Sequence, residues 1–145
     1  MAEYIPSPIE WVRDQVELYE RSGGTEGTTL RDTGLPVIIV TNTGNKTGVI
    51  RKTPLMRVKD GDNYVLIGSV GGAPKNPVWV YNLEANPTEV TVQDGPEPFL
   101  VDIRKIDGAE RAEWWERAVA AFPPYAGYQA KTERVIPVYI ASPRA

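Results

Sequence analysis

Residues 35 to 70, LPVIIVTNTGNKTGVIRKTPLMRVKDGDNYVLIGSV, predict three consecutive β-strands. The first strand, 35–43, is rich in β-branched residues; the second, 49–59, alternates as strands do; the third, 63–70, follows the turn DGDN. Gly44 and Gly48 suit a tight hairpin between the first two strands, because glycine tolerates the backbone conformations of such turns. Short hairpin connections of this kind join antiparallel neighbours, so this stretch predicts an antiparallel sheet.

Three helices are predicted around this sheet. The first spans 8–21, with a capping box at Ser7, Pro8 and Glu10, and Ile9, Val12, Val16 and Tyr19 on one face. A short second helix covers 78–86, and a third covers 108–122, with a capping box at Asp107 and Glu110.

The remaining chain supplies a hairpin of strands at 88–95 and 97–106 and a last strand at 135–141. The order α-βββ-α-ββ-α-β predicts the α+β class: one domain, 1–145, with a mainly antiparallel sheet curled into a small barrel and helices packed outside.

Composition excludes several kinds of chemistry. The chain contains no Cys and no His, which rules out thiol nucleophiles, a His general base and His-ligated zinc, and no metal site is predicted. A net charge of −3 argues against a nucleic-acid partner. There is neither an apolar run of membrane-span length nor a secretory start, so a cytoplasmic location is predicted.

One segment is basic in an otherwise acidic chain. Residues 33–59 contain no Asp or Glu but include Lys46, Arg51, Lys52, Arg57 and Lys59. Glycines beside Lys46 allow backbone N–H groups to converge on an anion, so this hairpin tip is either a phosphate cradle or an ordinary solvated turn.

Two other stretches have the composition of binding sites. Residues 68–79, GSVGGAPKNPVW, lead into a helix start that favours an anion or a polarised carbonyl, and Gly71 and Gly72 would let a flat ring approach the backbone; the alternative is a loop chosen for its turns. Residues 122–129, FPPYAGYQ, are predicted to be a loop or single turn that exposes its aromatic side chains, although their spacing also fits a core stripe.

Three stretches together resemble the deazaflavin-dependent nitroreductase family: TNTGNKTGVIRKTPL (41–55), NYVLIGSVGGAPKNPVWVYNLEANP (63–87) and FPPYAGYQAKTERVIPV (122–138). The resemblance runs from about Thr29 to Pro143 and implies a split β-barrel like those that bind flavin mononucleotide. It also implies the cofactor F-420, an 8-hydroxy-5-deazaflavin with a phospholactyl-oligoglutamate tail. The anion of the basic segment would then be the tail phosphate.

The resemblance implies a set of cofactor contacts. Those to the tail are Asn45, Lys46, Thr47, Arg51 and Lys52. Those to the ring and its ribityl chain are Thr53, Pro54, Leu55, Met56, Ile67, Gly68, Ser69, Val70, Gly71, Gly72, Val78, Trp79, Val80, Tyr81, Asn82 and Tyr125.

The implied activity is hydride transfer from reduced F-420 to a quinone, nitroaromatic or enone acceptor. Ser69, Tyr125 and Tyr128 are the predicted catalytic residues, and Trp11, Met56, Ser69, Phe122, Tyr125 and Tyr128 the predicted acceptor contacts. A flavin-mononucleotide-binding oxidoreductase and a non-catalytic deazaflavin-binding module remain alternatives. The chain is expected to be a monomer or homodimer, with peripheral membrane contact left open for the N-terminal helix within 1–24.

Overall fold

The computed structural model describes residues 3–29, 34–44, 48–68, 78–130 and 135–144. Its helices are α1 (Glu10–Arg21), α2 (Val78–Ala85), α3 (Gly108–Ala121) and α4 (Pro124–Ala130). Its strands are β1 (Val37–Thr43), β2 (Ile50–Met56), β3 (Lys59–Asp60), β4 (Asn63–Ile67), β5 (Val90–Gln93), β6 (Pro98–Ile106) and β7 (Val138–Pro143).

The seven strands of the described ranges form one sheet in the order β2-β1-β5-β6-β7-β4-β3, and every neighbouring pair is antiparallel. The sheet curls until its two ends meet, where Val65 N of β4 donates to Val58 O, just beyond β2, over 2.9 Å. The predicted antiparallel split barrel is therefore confirmed.

The two faces of the sheet bury separate apolar clusters, because side chains alternate along each strand. Along β4, Tyr64 and Leu66 enter the cluster covered by α2, and Val65 and Ile67 enter the cluster covered by α3 and α4. We call these the α2 cluster and the α3–α4 cluster. The buried members of the α2 cluster are Ile38, Val40, Tyr64, Leu66, Trp79, Val80, Leu83, Val90, Val92, Val101, Tyr139 and Ala141. Those of the α3–α4 cluster are Val37, Met56, Val58, Val65, Ile67, Ile106, Trp114, Ala118, Phe122, Tyr125, Ile136, Val138 and Ile140.

Helix α1 and the segment before it cover β1 and the outer end of β2. Val16 and Tyr19 pack on Ile39. Residues 3–5, here called the edge segment, add to the outer edge of β2: Ile50 N donates to Glu3 O over 2.7 Å, and Ile5 N donates to Ile50 O over 3.1 Å. The N-terminal region therefore blocks one end of a strand edge that would otherwise be open.

Both predicted capping boxes are wrong. Helix α1 begins at Glu10 rather than Pro8, and Ser7 Oγ accepts from Ile9 N over 3.1 Å instead of capping the first helical turn. Asp107 does occupy the N-cap position of α3, but its side chain makes no cap hydrogen bond. Glu110 binds the guanidinium of Arg104 instead, over 2.6 and 2.9 Å. A bidentate pair across the β6–α3 connection outcompetes a local cap.

The prediction of an exposed aromatic loop at 122–129 is also wrong. Residues from Pro124 onward form α4, and proline is well tolerated at a first helical position. Phe122 and Tyr125 are only 7% and 5% exposed and belong to the α3–α4 cluster. The i, i+3 spacing of these aromatic residues is that of a helix packed on a core.

Candidate functional site

Among the described residues, no strand pairs with the outer edge of β2 beyond Ile50, and this open edge is where the sheet closes incompletely. Its ends are the Ile50 contact with the edge segment and the hydrogen bond from Val65 to Val58, so β2 residues 51–56 lie between them. The predicted contacts Thr53, Pro54, Leu55 and Met56 therefore occupy this edge. The facing strand is β4, which ends at Ile67.

The first turn of α2 is held in place by small and polar residues of neighbouring elements. A Cβ added at Gly68 would lie 2.8 Å from Val80 Cγ2 and 2.9 Å from Pro137 Cγ, so only glycine fits there. From β1, Asn42 Nδ2 donates to Trp79 O over 3.1 Å. The helix start is thus held from both β1 and the end of β4.

Asn42 has an incomplete hydrogen-bond complement. The residue is 1% exposed, and its buried Oδ1 atom has no hydrogen-bond partner among the residues that the structure describes. Turning the amide over would place Oδ1 against the Trp79 carbonyl oxygen, so the bond to Trp79 fixes Oδ1 as the atom that lacks a partner. A buried acceptor without a donor costs about 1–3 kcal/mol.

The two described cations of the predicted tail site already have intramolecular partners. Arg51 Nη1 donates to Ile5 O over 3.2 Å. Lys52 Nζ binds Glu20 Oε2 at 2.5 Å and lies 4.7 Å from the centre of the Tyr4 ring. Alternation along β2 places the two side chains on opposite faces, as the sequence predicts. The predicted contacts Asn45, Lys46 and Thr47 lie outside the described residues.

The predicted acceptor residues at the end of α3 and on α4 come together. Ring centroids of Phe122 and Tyr125 are 5.0 Å apart, and Tyr128 lies 6.1 Å from each of them. Met56 belongs to the same cluster. Burial, followed by the neighbouring Tyr128, raises the pKa of Tyr125, so its phenol stays protonated at neutral pH and can donate a hydrogen bond. Within the described ranges, the Tyr125 hydroxyl has no hydrogen-bond partner.

The remaining predicted contacts divide between the two faces. Ile67 joins Met56 in the α3–α4 cluster, whereas Leu55, Trp79 and Val80 contact the α2 cluster. Asn82 is also buried. Side chains from opposite faces can reach one ligand only around an edge of the sheet, and 51–56 provide such an edge.

Two predicted contacts are more exposed: Tyr81, at 45%, and Trp11, at 38%, near the start of α1. Ser69, Val70, Gly71 and Gly72 lie outside the described residues, and only the backbone of Val78 is described.

Comparison with known proteins identifies the family. The family model described as F-420H(2)-dependent quinone reductase matches residues 11–143. The chain belongs to this family. An F-420H(2)-dependent quinone reductase of Mycobacterium tuberculosis is 35% identical over 112 residues, which cover 75% of this chain and 74% of that protein.

Two solved structures are also similar. An F-420-H(2)-dependent reductase is 48% identical with a TM-score of 0.69, covering 74% of this chain and 94% of that one. A structure described as a domain-swapped dimer is 46% identical with a TM-score of 0.71, covering 94% of this chain and 100% of that one.

Family membership confirms three predictions: an oxidoreductase, the F-420 cofactor and the split-barrel fold. It confirms the predicted family in part, because the matching model carries the label of quinone reductases and the predicted label was that of nitroreductases. Among the helices of the described ranges, none is long and apolar enough to cross a membrane.

The described residues fit a cofactor with a flat ring, a neutral polyol and an anionic tail. Arg51 and Lys52 bring positive charge to the β2 end nearest the hairpin tip. The buried acceptor of Asn42 lacks a donor that a hydroxyl or ring N–H could supply.

The sequence prediction missed Asn42 and Glu20. The sequence does indicate Asn42, because it continues the alternating β1 positions Ile38 and Val40, which face the α2 cluster, and is the polar member of that series. No sequence pattern indicates Glu20, because it meets Lys52 only after 32 residues of chain have folded back.

Proposed function

We propose that this chain reduces quinones with reduced F-420, whose ring binds at the open edge of β2 opposite the end of β4. The observation that carries this proposal is the division of the predicted contacts between two faces of the sheet. Met56 and Ile67 lie on one face, and Leu55 and Val80 on the other. A ring at the edge is the arrangement that lets both groups contribute.

When bound, reduced F-420 supplies a hydride from C5 of its ring. The chain's own residues orient the acceptor and exclude water. Met56, Phe122, Tyr125 and Tyr128 give an apolar, aromatic wall suited to a flat quinone. The protonated Tyr125 phenol can donate to the quinone oxygen as negative charge develops there. Ser69 and Tyr128 are further proposed donors, and Trp11 a further acceptor contact.

The tail phosphate is proposed to bind at the β1–β2 hairpin, through Asn45, Lys46, Thr47, Arg51 and Lys52. The acid-free stretch 33–59 supports this placement, since an anion there meets no repelling carboxylate from its own segment. Lys52 is already paired with Glu20, and this ion pair would have to break before Lys52 could bind the phosphate. We therefore assign Lys52 a smaller contribution to tail affinity than Lys46 or Arg51. Nitroaromatics, which share the flat electron-poor ring of a quinone, are proposed as secondary acceptors.

A titration with oxidised F-420 beside flavin mononucleotide tests the cofactor site. F-420 should bind and flavin mononucleotide should not, and the reduced cofactor should then be oxidised on adding a water-soluble quinone under anaerobic conditions. Lys46→Ala should weaken F-420 binding by about 10- to 150-fold, with strong salt sensitivity, because a charge-assisted hydrogen bond contributes roughly 1.5–3 kcal/mol.

The control is Lys105→Ala, which removes a cation from β6 and should leave binding unchanged. Equal affinity of wild type and both Lys46→Ala and Arg51→Ala would refute the tail site. Binding without any turnover of quinone would instead support a carrier.

We also propose that the chain forms a homodimer, which the similarity to a domain-swapped dimer supports. Light scattering after size exclusion should give twice the chain mass of 16.0 kDa. A single monomer mass at high protein concentration would contradict this.

A further inference from the structure

We propose that Asn42 binds the cofactor directly, with its Oδ1 accepting a hydrogen bond from a neutral donor group of F-420. This inference rests on the function proposed above. Asn42 lies in the stretch 41–55 that carries the family resemblance, but it is not among the cofactor contacts that the resemblance implies.

The first argument is the unmet hydrogen-bonding capacity of the side chain. Oδ1 is buried and finds no partner in the described part of the chain, while Nδ2 is bound to Trp79 O. Buried polar atoms are rarely left unpaired unless something absent from the chain completes them. The Trp79 bond prevents an amide flip from solving the problem internally.

The second argument is location. Asn42 is the last residue of β1 before the hairpin on the face of the α2 cluster. Its Cα pairs across the sheet with that of Arg51. Its Nδ2 holds the first turn of α2. The residue therefore stands between the β2 edge, which we propose for the ring, and the hairpin, which we propose for the tail.

The chemistry of the atom selects the part of the ligand. A carbonyl oxygen repels phosphate and glutamate carboxylates, so Oδ1 cannot serve the anionic tail. It suits a hydroxyl of the ribityl chain or an N–H of the ring. Asn42 would thus align the neutral middle of the cofactor while the cations hold its end.

Asn42→Leu tests this, because leucine has a similar volume and removes the acceptor. Asn86→Leu is the matched control. Asn86 lies at the end of α2, and its Nδ2 donates to Thr43 O of β1 over 3.4 Å. Unlike that of Asn42, its Oδ1 is not a buried acceptor without a partner. We expect Asn42→Leu to raise the Kd for oxidised F-420 by about 5- to 10-fold, the effect of losing one neutral hydrogen bond. Asn86→Leu should leave the Kd within about 2-fold of wild type.

The two donor sources are separated with a deazaflavin that carries a methyl group in place of the ribityl chain. If a ribityl hydroxyl is the donor, Asn42→Leu should bind this analogue as well as wild type does. If a ring N–H is the donor, Asn42→Leu should still bind the analogue more weakly than wild type does. Equal Kd values of wild type and Asn42→Leu for F-420 would overturn the proposal and leave a bound water as the partner.

A second measurement uses the wild-type protein and does not depend on the variant folding. With asparagine labelled at its side-chain carbonyl carbon, the Asn42 resonance should move downfield on adding F-420, whereas that of Asn86 should not. An unmoved Asn42 resonance in a protein saturated with F-420 overturns the proposal. Failure of wild type to bind F-420 at all would overturn the proposed function as well, so the two failures are distinguishable.

Discussion

Tyr125 shows how one residue can serve both the core and the site. Its ring is buried in the α3–α4 cluster, yet its hydroxyl has no hydrogen-bond partner in the described part of the chain. Tyr125→Ala should therefore cost about 3–5 kcal/mol of unfolding free energy, because it leaves a cavity. Tyr125→Phe should cost little stability but lower kcat/KM for quinones by about 10-fold, since it removes a donor to developing negative charge. Denaturant unfolding and steady-state kinetics measure the two effects.

Tyr64→Phe is the matched control, and it should show the opposite pattern. Its hydroxyl donates to Asp94 Oδ2 over 2.7 Å within the α2 cluster, away from α4. That variant should lose stability while keeping kcat/KM. Wild-type turnover by Tyr125→Phe would remove the hydroxyl from the catalytic proposal and leave Tyr125 a core residue.

At the scale of residues, the sequence predicted side-chain types and faces but not long-range partners. The opposed directions of Arg51 and Lys52 follow from strand alternation and could be predicted. Their partners could not, because Ile5 and Glu20 reach β2 only through the docking of the N-terminal region. The aromatic residues of 122–129 have helical spacing, whereas the Pro pair and Gly127 favour a loop, and packing on the α3–α4 cluster decides for the helix.

At the scale of elements, hydrophobic periodicity located the helices and strands, whereas their ends depended on tertiary contacts. The hairpin of β5 and β6 and the helix α2 could be predicted from local pattern. Helix α4 could not, because a seven-residue helix is stable only when packed on a core.

The turn after α1 provides a prediction about how this helix docks. Gly23 and Gly24 both have positive φ, at 66° and 76°. A Cβ at Gly24 would lie 2.3 Å from Gly95 O, whereas one at Gly23 meets nothing within 4 Å. Gly23→Ala should therefore lower the free energy of unfolding by about 1–2 kcal/mol, the strain of alanine in a left-handed backbone conformation. Gly24→Ala should lower it clearly more, because the turn must also move away from Gly95.

Chemical denaturation of the two variants measures the difference. Gly24→Ala should also disturb the neighbouring hydrogen bonds of Tyr19, whose hydroxyl accepts from Gly95 N and donates to Gln93 O. The near-ultraviolet circular dichroism spectrum, which reports the environment of aromatic rings, should change in Gly24→Ala but not in Gly23→Ala. Equal stability of both variants would mean that the turn is not packed against Gly95.

At the scale of the whole molecule, the fold class followed from the order of elements, but the strand order did not. The contact of Val65 with Val58 only extends the local β3–β4 hairpin, but pairing of β1 with β5 and of β4 with β7 joins distant parts of the chain. Such non-local pairings leave no local signal beyond apolar strands. The open edge of β2 depends on this strand order, so its residues could be named from the family resemblance while its geometry could not.

The absence of histidine, together with buried tyrosines, predicts how stability depends on pH. Burial is the main cause of the raised pKa values of Tyr19, Tyr64, Tyr125 and Tyr139. Below the ordinary tyrosine pKa of about 10, all four are protonated in both the folded and the unfolded chain, so they add no pH dependence. Above it, the unfolded chain loses these protons first, and stability falls as pH rises.

The melting temperature should therefore be nearly constant from about pH 6 to 9, where no histidine titrates, and should fall above about pH 10. Calorimetry across this range measures it. Because lysines also titrate at high pH, the deciding comparison is with Tyr64→Phe: this variant should start less stable but decline less steeply above pH 10, since one raised pKa has been removed. If the melting temperature of wild type and of Tyr64→Phe declined with identical slopes, the Tyr64 phenol would ionise equally in the folded and unfolded chains. If the melting temperature already fell between pH 6 and 9, groups other than the tyrosines would cause the loss of stability.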